Sequence, residues 1–117
     1  MKATIGVTTF ITPNSTATIT GNTLYINGRG NNSSYPAIAI AVTKWNGSTG
    51  TVNISLSTNI DATASYTPTS DLNTIDRASS GTVSITAVST SAISGEFSFV
   101  GNKGTIVANG SFTAQRQ

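Results

Sequence analysis

Residues 37–42 read Ala-Ile-Ala-Ile-Ala-Val, and that two-residue period can place its large side chains on one side only if the backbone is extended. In a strand, successive side chains point to opposite faces, so Ile38, Ile40 and Val42 form one apolar face and Ala37, Ala39 and Ala41 the other. The same period recurs along the chain. It appears at Val52-Asn53-Ile54-Ser55-Leu56, at Val83-Ser84-Ile85-Thr86-Ala87, and at Ile93-Ser94-Gly95-Glu96-Phe97-Ser98-Phe99. No window has the 3.6-residue period of an amphipathic helix.

Composition agrees. Roughly a third of the 117 residues are Ser or Thr, far above ordinary usage. Thr, Ile and Val restrict χ1 and suit a pleated surface, and strong helix formers are scarce. Disordered segments are usually charged and poor in β-branched residues, whereas only 9% of this chain is charged.

Turn residues punctuate the runs. Ala3–Ile11 is a first β-rich run, ended by Pro13-Asn14. Gly21-Asn22 between Thr16–Thr20 and Thr23–Asn27 is a two-residue hairpin signal, with glycine supplying the positive φ of a type II′ turn. Residues 28–36 read as a loop. Ala37–Trp45 and Thr51–Ser57, joined by Asn46–Gly50, read as a second hairpin. Between residues 59 and 80 one short strand is expected near Ala62–Thr67, with loop around it. Gly81–Ser89 puts Val83, Ile85 and Ala87 on one face, and Ile93–Val100 puts Ile93, Gly95, Phe97 and Phe99 on one face. Thr105–Ala114 closes the chain, with Ile106, Ala108, Gly110 and Phe112 on the matching face. The expectation is one all-β domain over residues 1–117, an antiparallel β-sandwich or flattened barrel of about eight to nine strands, mostly hairpin-connected.

The closing run Ile93-Ser94-Gly95-Glu96-Phe97-Ser98-Phe99, with Gly104-Thr105-Ile106-Val107-Ala108-Asn109-Gly110-Ser111-Phe112, resembles the closing hairpin of uncharacterised small secreted lipoprotein-type β domains of Bacteroidetes-like bacteria. Ala3–Phe10 and the Ala17–Ile26 hairpin sit where that family would place them. The resemblance implies a secreted or surface-anchored β domain and brings no catalytic residues to carry over. The chain departs from the pattern in having no lipoprotein signal and no lipidated cysteine.

The chemistry-bearing residues are few. There is no histidine and no cysteine, which removes Ser-His and Cys-His nucleophile systems and zinc sites built on nitrogen or sulfur. The four carboxylates, Asp61, Asp71, Asp76 and Glu96, offer no evident pair for glycoside hydrolysis. The expectation is that the chain is not an enzyme and uses no cofactor. Its six cations are scattered singly, without the clustering a nucleic-acid footprint needs, and no stretch approaches the length of a membrane-spanning helix.

Three groups remain as site candidates. Asp71, Asn73 and Asp76 are hard oxygen donors close together, as calcium prefers, but their spacing matches no known calcium loop and turn chemistry accounts for them. Tyr25, Tyr35, Trp45 and Tyr66 are aromatics with polar tips that could stack on a sugar or anchor a protein, and could equally cap the edge of the core. Of these Trp45, read as sharing the face of Ala39 and Ala41, is the first choice for a ligand site. Ala37, Ala39 and Ala41 form a flat strip that could pack inside the domain or against another subunit. Two roles follow: an extracytoplasmic or cell-surface domain binding a glycan or protein, or a self-associating structural subunit of a filament or virion.

Overall fold

The computed structural model describes residues 1–12, 15–29, 35–56 and 61–117. Ten strands follow in chain order: β1 Lys2–Ile5, β2 Thr8–Ile11, β3 Ser15–Thr20, β4 Thr23–Arg29, β5 Ala37–Val42, β6 Gly50–Ser55, β7 Ala62–Thr67, β8 Asp76–Val88, β9 Ala92–Gly101 and β10 Ile106–Arg116. A single 3₁₀ turn, Leu72–Thr74, precedes β8. The all-β expectation holds.

The strands form two layers. All ten strands belong to one hydrogen-bonded sheet, which divides at its shortest pairings into β3-β4-β5-β7 on one side and β2-β1-β10-β9-β8-β6 on the other. The two layers join at two corners. The end of β10 pairs parallel with β3 (Gln115 opposite Thr16), and the start of β8 pairs with β7 (Arg77 opposite Ser65). Because β9 also pairs with β10, the hydrogen bonds close a circuit, the flattened-barrel form of a sandwich. Apart from β10–β3 and a single β6–β7 pairing, the ladders are antiparallel.

The period-two reading holds where strands are regular. Ile38, Ile40 and Val42 are buried, as are Ile93, Phe97 and Phe99. The Gly21-Asn22 turn closes β3–β4 with Thr20 opposite Thr23 and Gly21 at φ 61°. A turn not anticipated lies at Gly6-Val7, with Gly6 at φ 60°, so the run from Ala3 to Ile11 is a hairpin of β1 and β2.

Four expectations are corrected. First, β5 and β6 are not a hairpin. β5 lies between β4 and β7, and β6 pairs along β8. Lys44 adopts φ 53°, and the Trp45 amide donates to the Asn22 carbonyl at 2.7 Å. That turns the chain across the end of the domain into the other layer.

Second, β10 carries an extra residue. Val107 pairs with Phe99 but Gly110 pairs with Phe97, and Asn109 sits at φ 53°. This bulge inverts the face, so Val107 is buried while Ile106 is exposed. Third, an equivalent shift between Ile85 and Ala87 in β8 turns Ala87 outward and sets Val88 opposite buried Ile93.

Fourth, β8 begins at Asp76, inside a segment expected to be loop, and β4 runs through Gly28 to Arg29. The rest of the 28–36 loop lies largely outside the described residues, as do Pro13-Asn14 and Ser57.

Asparagine tolerates the left-handed region better than a β-branched residue. Asn109→Val should therefore lower stability by roughly 1–2 kcal/mol in urea melts, and Asn109→Gly should leave it nearly unchanged. Equal losses for both would mean that Asn109 acts through its amide rather than its backbone.

In β9 and β10 the two Gly-x-Phe segments lock together. Phe112 lies opposite Gly95, and Phe97 lies opposite Gly110. A Cβ on Gly110 would stand 2.5 Å from the Phe97 ring, and one on Gly95 would stand 2.6 Å from the Phe112 ring. Each phenyl thus covers the bare backbone of a glycine on the neighbouring strand. The Phe97 ring centroid lies 6.2 Å from that of Phe112 and 6.3 Å from that of Phe99, within aromatic contact range.

Candidate functional site

On the outer face of β4, β5 and β7 the strand register lines up two rows. One holds Tyr25, Ala41 and Thr63; the other holds Asn27, Ala39 and Ser65, and continues into β8 with Arg77. Ala39 and Ala41 are the small members. Where larger neighbours rise around them the surface is hollow, a half-open groove of about 460 Å³. Tyr25 and Leu56 stand at its sides, both substantially exposed (42% and 50%), and Ile75 and Arg77 border it at the β8 corner. Its exposed lining is mainly apolar, with Asn27, Thr63 and Ser65 supplying polar groups.

The sequence candidates divide. Tyr25, Ala39 and Ala41 meet in this groove. Ala37 is on the same strand face, level with Thr67. Tyr66 is level with Ile38 and packs against the core. Burial there raises the pKa of its hydroxyl above the ordinary tyrosine value. Tyr35 is half-buried just before β5.

Trp45 does not share the face of Ala39 and Ala41, because the left-handed Lys44 breaks the alternation before it. It packs against the core at one end of the domain, beside a smaller hollow that Val42, Val52 and Ile85 also line, and its Nε1 donates to the Ser48 carbonyl at 3.0 Å. Sequence reasoning missed Leu56 and Arg77. In the two-residue period Leu56 shares the face of Val52 and Ile54, yet it lies past the end of β6 and is exposed, and Arg77 falls in the segment that reads as loop.

The three residues of the oxygen-donor group are engaged in separate contacts. Asp71 caps the 3₁₀ turn, its Oδ1 accepting from the Asn73 amide at 3.0 Å. The Asn73 carbonyl accepts from Lys103 Nζ at 2.7 Å. Asp76 is buried, its Oδ1 accepting from the Lys103 amide at 2.7 Å and its Oδ2 from the Thr105 amide at 3.0 Å. Loss of hydration would raise its pKa, but the Thr105 hydroxyl, these two amides and the charge of Lys103 outweigh that and hold it below the usual aspartate value. Asp76 thus ties the 101–105 turn to the β8 corner. Among the described residues no three carboxylates cluster.

Glu96 lies on the opposite layer's outer face, in a shallow polar depression with Thr82, Ser84, Ser98 and Ser111. No helix among the described residues is long and apolar enough to cross a membrane.

The family model described as Domain of unknown function (DUF6252) matches residues 1–114, and the chain belongs to that family. No curated protein and no solved structure matches it.

Proposed function

We propose that this member of the DUF6252 family is a non-catalytic binding domain displayed outside the cytoplasm, with the β4-β5-β7 groove as its site. The observation that carries the reading is the groove itself: an apolar hollow of about 460 Å³ with a few convergent polar groups, the usual form of a ligand site. The cell-surface address is supported by the low-charge, Thr- and Ser-rich composition and by the resemblance of the closing hairpin to secreted domains.

The test is an NMR titration with oligosaccharides and short peptides. Ligands should shift the amides of Ala39, Ala41, Thr63 and Ser65, and Tyr25→Ala should remove the response. Because Tyr25 stands on the outer face, substantially exposed, opposite Thr18 and Ala41, that variant should lose less than about 1 kcal/mol of stability. No shift at the groove for any compound would overturn the reading.

One observation favours the second reading, a self-associating structural subunit. Among the described residues strand β2 pairs on one edge alone, and Val7 before it and Ile11 at its end are exposed (102% and 65%). Unpaired edges invite strand addition. Light scattering would then report a multimer that Ile11→Lys reduces to a monomer. A wild-type monomer at high concentration would remove this reading.

A further inference from the structure

Resting on the groove being a binding site, we infer that its ligand is an acidic oligosaccharide, a short glycan carrying a uronic-acid carboxylate that Arg77 receives. Arg77 lies at the end of the Asn27-Ala39-Ser65 row, and among the described residues its guanidinium has no ion pair or hydrogen-bond partner. None of the four carboxylates lines the groove, so the local charge is that single cation. A free guanidinium fork matches a carboxylate in two parallel hydrogen bonds.

The rest of the lining selects the body of the ligand. Asn27 and Arg77 lie three strand spacings apart along the row, at most about 14 Å at about 4.8 Å per spacing, a reach that suits two sugar rings better than a single small acid. A pyranose has an apolar face of C–H groups and a polar rim of hydroxyls. The Ala39 and Ala41 methyls and the Tyr25 ring offer the apolar contact, and Asn27, Thr63 and Ser65 offer hydrogen bonds at the level of the rim. A fatty acid fits poorly, since these polar groups would meet its chain and the groove is open to solvent on one side.

The experiment titrates the folded chain with trimers of galacturonate, glucuronate and mannuronate. Their methyl esters, a neutral hexose trimer and a sulfated trimer serve as comparisons. At least one uronate trimer should shift the groove amides and bind about tenfold more tightly than its ester. Arg77→Gln should abolish that preference, and salt should weaken acid binding more than ester binding.

Esters binding as well as acids would overturn the inference and leave the groove a site for neutral ligands. A preference for the sulfated trimer would also overturn it, in favour of a sulfate site. No shift from any sugar or peptide would overturn both the inference and the binding reading beneath it. Arg77→Gln is exposed and should melt like the parent, so lost preference in a folded variant reports the site and not the fold.

Discussion

Replacing Phe97 with alanine is expected to remove about 3–5 kcal/mol of stability, a large share of what a domain of this size possesses. Phe97 is only 4% exposed and stands against Phe99, Phe112 and the bare backbone of Gly110. Phe99, at 2%, should behave alike. The reverse change is also informative. Gly110→Ala drives a methyl into the Phe97 ring and should cost roughly 1–3 kcal/mol, the usual penalty of overpacking.

If the two positions are one lock, the costs will not add. Phe97→Leu with Gly110→Ala should lose less than the sum of the singles, with a coupling above about 0.5 kcal/mol in a double-mutant cycle. Urea melts of the four proteins decide it. A loss below 1 kcal/mol for Phe97→Ala would mean that the inner face of β9 is misassigned, and strict additivity would mean that ring and glycine do not interact.

Asp76→Ala should be the second most damaging change. It strands the Lys103 and Thr105 amides, each now bonded to a buried carboxylate, and hydrogen bonds to charged groups contribute about 1.5–3 kcal/mol each, so a loss near 3 kcal/mol is expected. The pH dependence carries the sign. A carboxyl with a depressed native pKa binds protons more readily when unfolded. Its stabilisation is therefore complete above the unfolded value of about 3.9 and disappears as pH falls through the lower native value. Wild-type melts should weaken between pH 5 and 2 more steeply than those of Asp76→Asn, which carries no titrating carboxyl there. Parallel curves would show that Asp76 is not what couples this fold to acid.

These positions also show what the residues disclosed before the structure. Alternation identified Ile38, Ile40, Val42, Phe97 and Phe99 as interior, but it merged β1 and β2 into one run and missed the start of β8. It failed on one side of each bulge, before it in β10 (Ile106, Ala108) and after it in β8 (Ala87). Nothing in Ile106-Val107-Ala108-Asn109-Gly110 distinguishes a strand facing one way from a bulged strand facing the other, since both patterns offer apolar residues to the core. Strand partners failed for a related reason. Local turn chemistry reports a chain reversal, and Lys44 reverses nothing: it carries the chain across to the other layer.

The groove shows the same division. Tyr25, Ala39 and Ala41 were legible because they lie on regular strands with a defined outward face. Arg77 was not, because it reaches the groove only through the β7–β8 corner, a pairing between segments that no local pattern joins. Asp76 read as a turn residue for the same reason, since the amides that hold it belong to residues 103 and 105.

The place of β10 bears on how the molecule is made. It is the last of the ten strands in chain order, yet it supplies the partner for β1, for β9 and for the start of β3. During synthesis, at about 5–20 residues per second, the β1–β2 hairpin must wait several seconds for the strand that will cover it. Over that interval Ala3 and Phe10 have no layer to enter, and the nascent chain is at its most vulnerable to pairing with another of its kind. Closure of the circuit is thus a late event, even though the β3–β4–β5–β7 and β6–β8–β9 ladders can pair before it.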